Sequence, residues 1–277
     1  FVDRVRFNHG LPCIQKFHLN CIDNIDPSRA YTWISVAIER GVQKLDIQIQ
    51  SNLFLFSSYS FPRSLFTCPT LVVLKMALAR LYNFPYSVHF PSLKILHVSL
   101  RYLGKQLAQN LFCNYPVLED LFIRLEEVLA SKEIIFDVST PALKSLQIDF
   151  ASDDDSIYSK NKILINAPIL EYLTLKDDYL PCYFFKSPSS LVKADINVGD
   201  PYIKEHANQV FVLLKGISNV KFLCFGTCTM AVLNYADDGN LPLFPNVTHW
   251  SCMFTMAMDG KDYQTCSIAC PILYFWY

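Results

Sequence analysis

A short phrase of apolar residues, spaced L-x-x-L-x-L and usually opened by a proline, recurs along this chain and restricts what it can fold into. It reads Pro116-Val117-Leu118-Glu119-Asp120-Leu121-Phe122-Ile123 in one place. Pro69/Leu71/Leu74/Met76, Pro91/Leu93/Leu96/Val98, Pro141/Leu143/Leu146/Ile148 and Pro168/Leu170/Leu173/Leu175 have the same form. Looser copies run through Ile14/Phe17/Leu19, Val42/Leu45/Ile47, Leu191/Ala194/Ile196, Val220/Leu223/Phe225 and Val247/Trp250/Cys252, which makes ten in all. Their first apolar positions are 21 to 29 residues apart. A drifting period of that size marks a leucine-rich-repeat solenoid. Within L-x-L the side chains alternate, so the two apolar residues share one face and the intervening residue takes the other. One such strand has nothing to bury against. Stacking each on the next builds a continuous parallel sheet over a common interior.

The expected architecture is therefore α/β: one parallel strand per repeat on a concave face, and helices or irregular segments on the convex face. The solenoid is expected over residues 1–252, as about ten repeats, with 253–277 an atypical tail that is not repeat-like. Val2, Val5 and Phe7 already follow the pattern, so the chain reads as part of a longer protein. The clearest crossover helix starts at Asp26, a good cap, with Pro27 in the first helical position. Trp33, Ile34, Ala37 and Ile38 follow at helical spacing, and Gly41 closes it. The crossover after Ile47 is aromatic (Phe54, Phe56, Tyr59, Phe61, Phe66), which suits packing outside the sheet. Leu65–Cys68 and Leu111–Asn114 precede a repeat proline, where a small Cys or Asn fills a gap or satisfies loop backbone. The acidic stretches Ala151–Ser156 and Ala236–Asn240 read as solvated loops.

At 52% hydrophobic residues the composition is high, as strands covered on several sides require. The net charge of -1 gives no basic footprint for nucleic acid or an anionic membrane. No apolar run reaches the ~20 residues of a membrane span. The ten cysteines do not form a disulfide framework. Cys13, Cys68, Cys224 and Cys252 sit in or beside repeat cores, as small apolar residues do. Phe1–Phe7 does not read as a secretory signal. The expected compartment is reducing, cytoplasm or nucleus.

Catalytic chemistry is not legible. The six histidines, His9, His18, His89, His97, His206 and His249, lie in no distinctive motif and read as surface or turn residues. Cys224/Cys228 and Cys266/Cys270 have the wrong gap for zinc pairs. None of the eight glycines builds a phosphate loop. The chain is read as non-enzymatic, with no metal and no cofactor.

What remains is a surface. The positions between the two apolar strand residues give a row: His18, Asp46, Lys75, His97, Phe122, Gln147, Thr174, Asp195, with Tyr172 in a flanking row. Stacked at roughly 4.8 Å per strand, they form one extended face. Mixed charge with exposed Phe122 and Tyr172 suits a protein or peptide partner.

Several phrases resemble the plant-type F-box proteins with leucine-rich repeats, many of which carry an FBD region. They include Phe1-Val-Asp-Arg-Val5, Trp33-Ile-x-x-Ala37-x-x-Arg40-Gly41-Val42-x-x-Leu45 and Leu65-Phe66-Thr67-Cys68-x-Thr70-Leu71-Val72-Val73-Leu74-Lys75. Pro116–Leu121, Ala167–Leu173, Leu213–Val220 and Leu241–His249 are similar to the same group. The resemblance covers about residues 1–250, the repeat region only. It implies the substrate-binding region of an F-box subunit of a cullin-type (SCF) ubiquitin ligase. A Skp-type adaptor would bind only through an F-box upstream of Phe1, and none stands in this sequence; nor does the tail after 250 follow the FBD pattern. The alternatives are a stand-alone binding or competitor product, and a small-molecule or inositol-phosphate sensor. The sensor reading is weakened because Asp46, Asp120 and Asp195 interrupt the basic residues.

Overall fold

Each L-x-L phrase becomes a strand, and the two residues before it fix that strand against the previous coil. The computed structural model describes residues 13–21, 26–49, 61–80, 88–103, 115–128, 135–150, 162–177, 182–186, 188–200, 203–204, 206–235, 242–258 and 262–270. The expectations for Val2–Phe7, Phe54–Tyr59, Leu111–Asn114 and both acidic stretches lie outside the described residues.

The main sheet holds eleven strands. They are β1 (Lys16–Cys21), β2 (Lys44–Ile49), β3 (Val73–Arg80), β4 (Ile95–Leu103), β5 (Asp120–Val128), β7 (Ser145–Phe150), β9 (Tyr172–Asp177), β11 (Lys193–Val198), β12 (Phe222–Phe225), β13 (His249–Met258) and β14 (Asp262–Cys270). Their spatial order follows their order in the chain. The first ten, one for each copy of the phrase, are parallel. β14 pairs antiparallel with β13, from Trp250↔Cys270 to Met258↔Asp262.

Register follows the phrase without a slip. Leu74, Leu96, Leu121, Leu146 and Leu173 are successive partners, as are Met76, Val98, Ile123, Ile148 and Leu175. Leu74, Leu96, Leu121 and Leu175 are fully buried. The x-x spacer has its own task. At every junction its two amides both donate to a single carbonyl of the coil before. Glu119 N and Asp120 N reach Lys94 O at 2.8 and 3.0 Å; Lys144 N and Ser145 N reach Glu119 O at 2.9 and 3.0 Å. The same fork runs from Gln43/Lys44 on Gln15 O to Thr248/His249 on Lys221 O. A backbone tie repeated at each step leaves no alternative register.

Helix α1 (Pro27–Glu39) forms as expected. Asp26 accepts from Ser28 N at 2.9 Å, and those Ser28 bonds hold its carboxyl below the usual carboxylate range. Ala30, Ile34 and Ala37 carry the buried stripe. The chain leaves through Gly41 at φ 70°, a left-handed conformation that costs glycine nothing. Helices α2 (His206–Gly216) and α3 (Thr227–Leu233) close later crossovers. Their buried residues join the same core as the main sheet.

Three crossovers depart from the helices or irregular segments expected on the back. β6 (Ile135–Ser139), β8 (Lys162–Asn166) and β10 (Cys182–Phe185) pair in parallel as a second sheet. Phe136, Val138, Ile163, Ile165 and Tyr183 point into the shared core, and the Phe136 and Phe150 rings lie 5.8 Å apart. The alternation in Phe136-Asp137-Val138 and Ile163-Leu164-Ile165, with β-branched residues, favours strand over helix.

The C-terminal coils change the device. β12 lasts four residues, and α3 takes the space in which it would have continued. Gly226 N donates to Ile196 O at 2.8 Å. The buried Thr229 hydroxyl accepts from Val198 N at 2.8 Å and donates toward Ile196 O and Val198 O at 3.1 and 3.3 Å. Asn197 Oδ1 accepts from Cys228 N in the first turn of α3. Position 252 falls inside β13.

Of the cysteines placed in repeat cores, Cys68 and Cys252 are buried. Cys13 is exposed, because it precedes the first apolar position, and Cys224 lies half-buried on the opposite face. Cys13, Cys21, Cys68, Cys182, Cys224, Cys228 and Cys252 are free thiols. His206 is also a correction. It is buried at the start of α2, and its Nδ1 accepts from Asp200 N at 2.9 Å.

Candidate recognition face

The strand residues that alternate with the core point away from it, and the fixed register lines them up. His18, Asp46, Lys75, His97, Phe122, Gln147, Thr174, Asp195, Cys224 and Ser251 are successive Cα partners across ten strands. Eight of the nine sequence-assigned residues therefore lie in one row. Tyr172 stands in the row beside it, between Ser145 and Lys193. That flanking row continues to Phe222 and His249. The sequence reading missed this pair, although Phe222 occupies the same offset from Cys224 as Tyr172 does from Thr174. Phe222 and His249 stack with centroids 4.7 Å apart and 22° between planes.

Charges along the rows meet opposite charges. His18 Nδ1 lies 3.1 Å from Asp46 Oδ2, and His97 Nε2 lies 3.2 Å from Asp120 Oδ1. Arg124 reaches Asp149 at 3.9 Å. In the spacer row Glu119 takes Lys94 at 2.9 Å and Lys144 at 3.1 Å, and these two bonds lower its pKa. Burial pushes the Asp195 carboxyl up, against the pull of Lys176 and Lys193. Burial likewise raises the Cys224 thiol, which disfavours the thiolate a nucleophile needs.

An imidazole held by a carboxylate is half of a hydrolytic triad. Here the other half is not assembled: the His97 ring meets the edge of Phe122 at 5.7 Å rather than a hydroxyl or thiol. No three His, Cys, Asp or Glu side chains among the described residues could hold a metal ion. No described helix is long and apolar enough to cross a membrane. A cation cluster fit for a polyphosphate is also not what the centre of the face presents, since His97, Arg124, Lys94 and Lys144 face carboxylates. The arrangement offers aromatic and hydrogen-bonding side chains on a rigid sheet, the composition of a macromolecular contact surface.

Residues 30–194 match the family model described as FBD-associated F-box protein At5g56370, LRR repeats. Over 90% of its length the chain is 32% identical to the F-box/LRR-repeat protein At4g14096 of Arabidopsis thaliana, covering 53% of that protein. It is 31% identical, over 87% of the chain, to the Arabidopsis F-box/FBD/LRR-repeat protein At5g22700, covering 57% of it. The Arabidopsis F-box/LRR-repeat protein At4g14103 is 31% identical over 90% of the chain, with 66% of its length covered. The chain thus spans about half to two thirds of the length of these relatives. No solved structure matches it.

Proposed function

Because the chain belongs to the leucine-rich-repeat family of FBD-associated F-box proteins, we propose that it is the substrate-recognition region of an F-box subunit of a cullin-type ubiquitin ligase. In this reading residues 1–252 act as one repeat unit that holds a protein substrate on the open face of the main sheet. A Skp-type adaptor docks on an F-box elsewhere in the protein, and the work is done in the cytoplasm or nucleus. The chain itself catalyses nothing: it positions a substrate. His18, Asp46, Lys75, His97, Phe122, Gln147, Tyr172, Thr174 and Asp195 are the residues assigned to the contact.

The observation that carries this reading is the unbroken register of outward side chains over ten strands. Such a face is long, stiff and varied, which a folded substrate needs and a small molecule does not. Tyr172 and Phe222 supply exposed aromatic rings of the kind that dominate protein contacts.

The test is quantitative affinity purification from plant cells, using the protein from its complete reading frame and a Phe122→Ala/Tyr172→Ala variant. Adaptor and cullin should be recovered equally with both forms. Other co-purifying proteins should be depleted at least fivefold by the variant, and their lifetimes should lengthen. Absence of adaptor and cullin from the wild-type sample would refute the ligase role. A co-purifying set indifferent to the variant would refute the face.

A further inference from the structure

The two ends of the open face differ in chemistry, and the difference names the kind of partner. In the row that carries Tyr172, Lys16 and Lys44 are direct register partners on β1 and β2. Like charges placed opposite one another across a parallel pair oppose folding. Lys75 adds a third exposed ammonium group, next to Asp46 in the central row. Asp46 is the one carboxylate on the outward face of β1–β3, and it is already engaged by His18 at 3.1 Å and Gln48 at 3.4 Å. None of the three lysines makes an ion pair with a described residue. Yet the chain as a whole has a net charge of -1. On the outward face of β1–β3 three lysines thus stand against one carboxylate.

The middle strands neutralise themselves through His97–Asp120 and Arg124–Asp149. The far end is aromatic. Tyr172 is 49% exposed and Phe222 39%, with Lys193 between them in the same row. Three lysines outside any ion pair among the described residues, then a balanced stretch, then two open rings succeed one another along the line of strands, over three adjacent rows.

We propose that this line is a bipartite docking track for an acidic segment of the partner protein. Carboxylates of the segment pair with Lys16, Lys44 and Lys75. An aromatic or aliphatic side chain of the same segment packs against Tyr172 and Phe222. From β2 to β9 is five strand steps and to β12 seven, or about 24 to 34 Å at ~4.8 Å per step. An extended chain covers that in about 7 to 10 residues. The partner's recognition element is thus a short segment with acidic residues at one end and an apolar anchor about 7 to 10 residues away. This inference rests on the open face being the protein-binding face, and it adds the chemistry of what binds.

The experiment selects 16-residue peptides from a random display library against the 277-residue chain. Enriched peptides are then measured by fluorescence anisotropy over a salt series. Enrichment of acidic residues at one end and an apolar residue at the stated spacing is expected. Lys16→Glu/Lys44→Glu should weaken binding at least tenfold and flatten its salt dependence. Tyr172→Ala/Phe222→Ala should weaken it at least tenfold and leave the salt dependence in place. All four side chains are exposed, and circular dichroism checks that both variants keep the wild-type melting curve. Peptides that are basic or uncharged, affinities unmoved by either variant, or heparin binding as tight as the peptides would each overturn the proposal. A purification in which no co-purifying protein depends on the face sinks the parent reading; face-dependent proteins found beside a failed peptide selection sink this inference alone.

Discussion

Replacing Thr229 with valine changes one atom in size terms and removes the group that lets helix α3 substitute for a strand. The Thr229 hydroxyl is fully buried. It accepts from Val198 N at 2.8 Å and supplies its proton toward the carbonyls of Ile196 and Val198. Valine keeps the shape, so no cavity term enters. What it leaves is an amide of β11 stripped of its acceptor inside the core. An orphaned buried donor costs about 1–3 kcal/mol, and losing the hydroxyl's own donation adds about 1 kcal/mol. A total of about 2–4 kcal/mol should appear in urea melts followed by circular dichroism. Thr229→Ser keeps the hydroxyl and drops one methyl group, about 0.8 kcal/mol by area. Hydrogen exchange gives the local reading: the Val198 amide should lose protection in the valine variant and keep most of it in the serine variant. If valine costs no more than serine, or Val198 stays protected, the hydroxyl does not stand in for ladder bonds beyond the end of β12.

Leu121→Ala, at a fully buried position between Leu96 and Leu146, should cost about 2–5 kcal/mol in denaturant melts. Gln147→Ala, on the outward row, should stay within ~0.5 kcal/mol; equal costs would overturn the assignment of faces. Gly226→Ala should destabilise although φ is an ordinary -81°, because a Cβ there would sit 2.2 Å from Asn197 Oδ1. Adding Asn197→Gly removes the Oδ1, Cγ and Cβ atoms that the new Cβ would meet, so the double variant should lose less than the sum of the two single losses. Burial and the Asp177 carboxylate raise the Tyr183 phenol well above its usual range. The folded state then keeps that proton after the unfolded chain has released it, so stability falls as pH rises above about 10. Tyr183→Phe should remove that part of the fall, and it should also lower stability at neutral pH, since the phenol donates to buried Asp177. A melting curve with the same alkaline slope as the wild type would refute the linkage.

The ladder was readable because two constraints coincide in the same residues. Leu118, Leu121 and Ile123 set the face by alternation, and the spacer Glu119-Asp120 sets the register through the fork on Lys94 O. A pattern that fixes both leaves little to tertiary choice. The row from His18 to Asp195 followed from that alone. The back sheet was not read although its strands keep step with the phrase: Val138, Ile165 and Phe185 are register partners, each three residues before a proline (Pro141, Pro168, Pro188), but the segments themselves carry no signature. Ile163-Leu164-Ile165 is short enough to serve as strand or helix until its neighbours decide. The role of Thr229 depends on where β12 stops, and His206 on the turn at Asp200; neither leaves a mark in the local pattern. Phe222 could have been found by carrying the Tyr172 offset two copies further.

The order of main-sheet strands in space matches their order in the chain, so each described strand inside that sheet pairs with its two neighbours in sequence. Duplication or loss of one coil would therefore lengthen or shorten the track by a single step, leaving every other junction intact. Copying one coil would add one strand of outward side chains to the open face without altering the scaffold elsewhere.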